Sequence, residues 1–415
     1  MQKAYSKKGI VALCSIVYFV SYFSRKDFAA VMAAMLSEGV MDKSIAGLIG
    51  TMLFVFYGVG QLVSGYLGDK LKPQYLIIAG LSVTAVCNLL MPLVPTPELM
   101  IPIWGVNGFA QAMLWPPIVR ILSDNLDHEK FVTANLIITS AAHISTILLY
   151  LYVPVCLELM EWETVFYTAT ALALAAMAVF IIALGFVLPA NSEVKRAEHS
   201  KAEITEEKHP IGKILISSGI IPIFGCIIMM GFLRDGIESW LPTLYSEAFS
   251  RDASESILVS VILPIFSIVS VSVVTAVHKK SLFNNEIRGA GLLFVLAIVL
   301  CVPLAFLISS EETVARFVCL VLAALVCAAM HGVNFLLISC LPGRFARLGR
   351  ASTVSGLTNA CTYIGAAISM YGIALVADNL GWAATIISWI IVAGIGVALA
   401  VISYRAYTGF IKTKE

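Results

Sequence analysis

Charge is what this sequence has little of. Only 13% of its 415 residues are Asp, Glu, Lys or Arg, against 59% hydrophobic ones, where about a quarter charged is ordinary for a soluble chain. A soluble globule of this length needs more polar surface than these residues supply, so the surplus of apolar side chains is expected to face lipid. That excludes secreted, fibrous, disordered and nucleic-acid-binding classes; the net charge of +1 by itself says nothing about partners. Catalytic signatures are missing as well. There is no GxSxG, HExxH, P-loop, dinucleotide fingerprint or metal-spaced Cys/His cluster, so neither an enzyme nor an ATP-driven pump is expected, and no cofactor or metal is implied. The nine cysteines form no CxxC and lie almost entirely in apolar runs, which reads as reduced packing residues rather than disulfides.

What is present is a series of apolar runs, each near the roughly 20 residues that a membrane helix needs. Twelve are expected, at 10–34, 45–67, 74–94, 99–122, 131–154, 164–189, 213–246, 255–277, 289–309, 313–340, 351–377 and 382–404. The seventh is long and carries charges. Lys7 and Lys8 precede the first run as in a signal peptide, but that run is too long, contains charges and lacks a cleavage site, so it is taken as retained. The longest polar gap, 190–212, is rich in Lys, Glu, Ser and His and reads as a linker between a six-helix half at 1–189 and another at 213–415. Most of the 27 Lys and Arg residues fall on one set of alternate loops, while Lys43, Arg251 and Arg316 fall on the other. Positive charge gathers on the cytoplasmic side, so an all-α membrane protein with both termini cytoplasmic is expected.

Three ionisable clusters interrupt the apolar runs, and a charge near the bilayer centre costs several kcal/mol unless it faces protein or water. The first is Tyr22-Phe23-Ser24-Arg25-Lys26-Asp27-Phe28; at about 1.5 Å per residue Arg25 lies roughly 24 Å along its helix. The second is Phe232-Leu233-Arg234-Asp235-Gly236-Ile237-Glu238-Ser239-Trp240, which repeats the Phe-x-Arg of 23–25 at the equivalent place of the second half. Repeat-built carriers place their site between halves, and two guanidiniums facing one cavity repel unless an anion lies between them. The planar Arg fork matches phosphate or carboxylate two oxygens at a time. The reading is an anionic substrate with several acceptor oxygens; an Arg–Asp pair that only holds helices together is the alternative. The third is His143, about 20 Å into the fifth span, either a packing residue bonded to a backbone carbonyl or a group that binds phosphate or carries a proton. Asn88, Asn107, Gln111, Asn135, His331, Asn334, Asn359 and Tyr363 are further polar residues within the runs, read mostly as interhelical hydrogen-bond partners, with some lining a cavity.

The stretch Gly65-Tyr-Leu-Gly-Asp69-Lys70-Leu-Lys72-Pro73 resembles the GxxxDK/R loop signature of the major facilitator superfamily, in which the Gly allows close helix contact and the Asp pairs with basic groups at a gate. The matching loop of the second half, Val-His-Lys-Lys-Ser at 277–281, lacks the Asp. The likeness narrows with YFSRKDFA at 22–29, Ala112-Met-Leu-Trp115-Pro116-Pro117 with Arg120, and Leu233-Arg234-Asp-Gly236-Ile237-Glu-Ser-Trp240-Leu-Pro242-Thr243. Ala141-Ala142-His143, Ser355-Gly356-Leu357-Thr358, Tyr363-Ile364-Gly365 and Asp378-Asn-Leu-Gly381-Trp382 continue it. Together they resemble, over almost the whole chain, the organophosphate:phosphate antiporters that carry glycerol-3-phosphate and hexose phosphates. The resemblance implies the major facilitator fold of twelve helices in two halves. It implies that Arg25 and Arg234 clamp a phosphoryl group with His143 in the same cavity, that Lys26 matches a family lysine and that Tyr363 matches a family aromatic. Tyr22 and Trp115, within the matching stretches, join the candidate substrate-binding residues, and Gly65, Asp69 and Lys70 form the candidate gating loop.

Three departures bear on the site. Gln61 stands where the family often has a lysine, Asp27 replaces a family Asn, and Asp235 and Glu238 add acids beside Arg234. Those acids either neutralise neighbouring cations, receive a cationic part of the substrate, or take a coupling proton. The resemblance implies a multi-pass carrier of the bacterial inner membrane, acting as a monomer, that exchanges a small organic phosphate for inorganic phosphate by a rocker-switch form of alternating access. A proton-coupled carrier of an organic carboxylate such as a sugar acid is the first alternative. A carrier-like sensor of sugar phosphate is the second.

Overall fold

The computed structural model describes residues 7–187, 219–279, 285–310, 312–348 and 351–412, and within them every element is helical. The linker expected at 190–212 lies outside the described residues. The helices are α1 (Lys7–Ser37), α2 (Lys43–Lys70), α3 (Pro73–Leu90), α4 (Met100–Ala112), α5 (Trp115–Asn125), α6 (His128–Leu159) and α7 (Glu163–Val187). Then follow α8 (Ile220–Ala248), α9 (Ala253–Val259), α10 (Ile262–Lys279), α11 (Glu286–Leu307), α12 (Thr313–Asn334) and α13 (Ala351–Lys412). Only helices satisfy their own backbone polar groups within one segment in lipid, and ten of the described segments are long and apolar enough to cross a membrane.

The count of ten reaches twelve at two interruptions of helix. The stretch Val354–Phe410 spans 57 residues, far more than one crossing at 1.5 Å per residue requires. It divides at Gly381, whose φ of 81° lies in the left-handed region that only glycine enters without strain. The expected fourth span is broken between Ala112 and Trp115. Pro116 and Pro117 open α5, and a proline ring supplies no N–H to the preceding turn. Neither fragment is long enough alone, so the span was shorter in continuous helix than its composition suggested. The expected eighth span is likewise divided, into α9 and α10, and the tenth ends in a π-helical turn at Phe335–Cys340.

The chain forms two compact units, Met1–Val31 with Val55–Glu206 and Met32–Phe54 with Glu207–Glu415. The ends of α1 and α2 that face each other across residues 38–42 therefore belong to the second unit. Lys43 there bonds Glu247 at 2.9 Å and Asp378 at 3.4 Å, and Trp382 Nε1 donates to the same Glu247 at 2.9 Å. In the first unit Val17, Leu81, Ile118, Ile138 and Phe180 belong to one apolar core. Within it Ser21 donates to Gln111 at 2.5 Å, and Gln111 to Thr84 at 3.3 Å. The amides of Asn88 and Asn107 both donate to the Ser24 carbonyl, at 3.3 and 3.2 Å. These polar residues serve as the interhelical partners expected of them, and they fix the α1 segment that carries Arg25.

In the second unit α8 and α13 approach closely enough that a Cβ at Gly365 would lie 2.0 Å from the Ile228 carbonyl oxygen, and one at Gly231 2.3 Å from that of Thr362. Small residues of this kind let membrane helices meet backbone to backbone. The contact sets Tyr363 beside the turn of α8 that carries Arg234. Outside the spans, Asp127 caps α6 by accepting from the Lys130 amide; the Lys130 side chain holds its carboxyl below the usual carboxylate range.

Candidate functional site

Arg25 lies half-buried on α1. Its guanidinium carbon sits 4.2 Å from the Tyr22 ring centroid and 5.0 Å from that of Tyr57. Tyr22 packs edge-on to Tyr18 at 5.0 Å, and Tyr18 lies 4.7 Å from Trp115. An aromatic row thus runs from the start of α5 to the arginine. It joins two candidates of the sequence, Tyr22 and Trp115, with Tyr18 and Tyr57, which the motifs did not single out as ligands. A ring engages the face of a guanidinium and an oxyanion its N–H edge, so stacking and anion recognition do not compete.

The neighbours of Arg25 behave differently. Lys26 is half-buried, while Asp27 is fully buried and turns inward, its Oδ1 accepting from the Phe28 amide at 2.8 Å. Among the described residues Asp27 Oδ2 has no hydrogen-bond partner. Gln61 is half-buried on α2. His143 on α6 places Nδ1 2.8 Å from the Thr139 carbonyl oxygen one turn earlier. A carbonyl only accepts, so Nδ1 carries the proton in that contact; this is the backbone bond that the packing alternative describes. Gly65, Asp69 and Lys70 end α2, and their side chains lie outside the described residues.

Arg234 is held by its edge instead of its face. Its Nη2 donates to Asp235 Oδ2 at 2.7 Å and its Nε to Asp235 Oδ1 at 3.3 Å. Nη1 donates to Asn334 Oδ1 at 2.7 Å. The side chains of Arg234 and Asp235 are 13% and 7% exposed. Desolvating two charges this far carries a penalty that only good geometry offsets, and the paired bonds from one fork to one carboxylate supply it. Glu238, one turn on, shares the face of Arg234 and meets His331 Nε2 through Oε1 at 2.7 Å. His331 and Asn334 are three apart on α12, so one helix face offers both partners. Tyr363 is half-buried, lies within electrostatic reach of Arg234 and stacks on Phe54 at 6.4 Å between centroids.

Cys327 adds a thiol 3.9 Å from Glu238 Oε1, and among the described residues the three atoms of Glu238, Cys327 and His331 gather within 4.8 Å. Two ligands of one zinc ion, each about 2.0–2.2 Å away at a tetrahedral angle, stand about 3.4 Å apart. The 2.7 Å oxygen–nitrogen separation is that of a hydrogen bond, and the pair is read as sharing a proton rather than as ligands. The sequence marks Glu238 as an acid beside Arg234, and His331 and Asn334 only as polar residues within spans. Their four- and three-residue spacings on α8 and α12 are the signal that they share faces; that the faces meet is visible in the structure alone.

The model of the Major Facilitator Superfamily matches residues 14–370 of this chain. A probable hexose phosphate transport protein of Chlamydia trachomatis is 36% identical over 106 residues, which are 26% of this chain and only 23% of that protein's length. The membrane sensor protein UhpC of Escherichia coli is 22% identical over 97% of this chain and 93% of its own. Among solved structures, an inward-facing, occupied bacterial homolog of the human lysosomal transporter Spinster superposes with a TM-score of 0.77 at 12% identity, covering 99% of both chains. The homologues and the fold are those of transporters of this kind and not of enzymes.

Proposed function

We propose that this chain, which belongs to the Major Facilitator Superfamily, transports a small organic phosphate across the bacterial inner membrane in exchange for inorganic phosphate. Arg25 and Arg234 each supply a guanidinium fork to a phosphoryl group during alternating access of the rocker-switch type, with Lys26, His143 and Tyr363 as further candidate contacts. The observation that carries the reading is Arg234. A guanidinium 13% exposed inside an apolar helix is costly to keep, and its fork is aligned by Asp235 and Asn334 before any cargo arrives. A phosphoryl group entering there competes with Asp235 for N–H donors. That competition ties cargo binding to a local rearrangement of α8. The name of the chlamydial relative supports a phosphorylated sugar as the cargo class.

Proteoliposomes loaded with inorganic phosphate should take up labelled glycerol-3-phosphate or hexose phosphate many-fold faster than empty ones. Uptake indifferent to internal phosphate would remove the exchange.

A second reading has its own support, because the E. coli relative aligned over 97% of this chain is named a sensor. A sensor binds the same phosphoryl group without turnover. Saturable binding of glycerol-3-phosphate or hexose phosphate with no flux in the same proteoliposomes would select it.

A further inference from the structure

We propose that the Glu238–His331 pair is a proton-binding site linked to the anion site at Arg234, so that a proton travels with the organic phosphate. The inference rests on the reading of Arg234 as a phosphoryl-binding residue and adds the coupling ion to it.

The first ground is charge. Arg234 carries one positive charge, Asp235 and Glu238 two negative ones, and all of them lie within two turns of α8 with His331 against them. With His331 neutral the cluster holds one net negative charge in an apolar span; with His331 protonated it holds none. A dianionic phosphoryl group arriving at Arg234 adds negative charge beside a cluster that is already negative. The arginine alone cannot offset Asp235, Glu238 and the cargo together. One proton on His331 removes the deficit.

The second ground is placement. Arg234 and Glu238 occupy successive turns of α8, and their partners Asn334 and His331 occupy successive positions of the α12 face. The anion and proton sites therefore share the same two helices, and the Cβ atoms of Arg234 and Glu238 that carry them stand about 6 Å apart by helix geometry. Unit charges at about 6 Å and an effective dielectric of about 20 alter one another's binding about a hundredfold. Ionised Glu238 only accepts, so the His331 ring donates Nε2–H to Oε1, and a proton added to the ring gives an imidazolium paired with that carboxylate. The proton leaves the ring when the cargo departs.

Further titratable groups stand on the packed elements. Arg234 and Asp235 are mutually bonded on α8, the Cys327 thiol points toward Glu238 from α12, and Tyr363 of α13 lies near Arg234. Farther along, His278 of α10 stands against the Phe335 ring. Glu286 of α11 accepts from Arg344 at 2.9 Å and Tyr407 at 3.1 Å. Glu255 of α9 pairs with Arg251 at 3.5 Å.

The test is calorimetric binding of glycerol-3-phosphate to the full-length chain in detergent between about pH 6 and about pH 8, the range in which an imidazole titrates. The wild type should lose affinity as pH rises by up to about tenfold per unit more than His331→Gln, which should still bind. Comparing the two chains with one ligand cancels the ligand's own titration. Equal pH slopes in both overturn the proposal. Wild-type titrations in buffers of different ionisation heat should show uptake of close to one proton from solution per dianionic ligand bound, and no uptake overturns it even where the variant fails to fold. If the wild type binds no phosphate at any pH, or if Arg234→Lys binds as the wild type does, the reading of Arg234 fails and takes this proposal with it.

Discussion

The two arginines that interrupt the apolar runs solve the same problem by different means. Arg25, in the first unit, is stacked between the rings of Tyr22 and Tyr57. Arg234, in the second, is gripped along its edge by a carboxylate and an amide. Stacking leaves the sign of the local charge positive, whereas the Asp235 pair brings it to zero and Glu238 takes it below. The comparison teaches that equivalent positions in two halves need not be equivalent electrostatically. In the proposed function the first arginine would attract an anion by its charge, and the second would offer an aligned fork whose occupancy must be exchanged.

The largest expected effects come from replacing either fork by a point charge. Arg25→Lys and Arg234→Lys should each lower exchange of glycerol-3-phosphate about a hundredfold or more, since an ammonium keeps the charge and loses the paired donors. Near-normal flux in either would take that residue out of the site. Asp235→Asn separates the two arginines further. Removing one partner of a buried pair typically costs about 3–5 kcal/mol, so the melting temperature in detergent should fall. Affinity for inorganic phosphate should rise in the same variant, because its competitor is gone. A fall in both would make Asp235 part of the anion site instead of its rival.

Smaller effects probe what aligns each arginine. Gly365→Ala puts a Cβ 2.0 Å from the Ile228 carbonyl oxygen, and overpacking of this kind costs about 1–3 kcal/mol; thermal unfolding and expression should report it. Tyr57→Leu removes one ring from Arg25, a contact worth about 0.5–2 kcal/mol, and should raise the half-saturating concentration several-fold while leaving Arg234-dependent pH behaviour unchanged. His143→Ala is expected to do least, since its Nδ1 is bonded to its own helix at Thr139. A large rise in half-saturation would favour direct contact of His143 with the cargo over the packing role.

The apolar runs were legible in the sequence because length and hydropathy decide what crosses a bilayer, and all twelve correspond to helix in the described residues. The interruptions were less so. Pro116 and Pro117 marked the break before α5 by their chemistry, yet the composition of 99–122 read as one span. The π-turn at Phe335–Cys340 that ends the tenth span leaves no compositional mark at all. At the site, Arg25 and Arg234 stood out because isolated charges in apolar runs are expensive. Asp235 next to Arg234 was visible as a neutralising neighbour, but not that it would take two edges of the fork. The His331–Glu238 contact joins residues 93 apart, and no local pattern reports a pairing at that range.

The central claim is that Arg234 holds a phosphoryl group. Binding of glycerol-3-phosphate and of unphosphorylated glycerol to the wild type and to Arg234→Lys, measured by calorimetry under one set of conditions, tests it most directly. The account predicts that the wild type binds only the phosphate ester and that the variant binds it about a hundredfold more weakly. Equal affinity of both chains for glycerol-3-phosphate would contradict it.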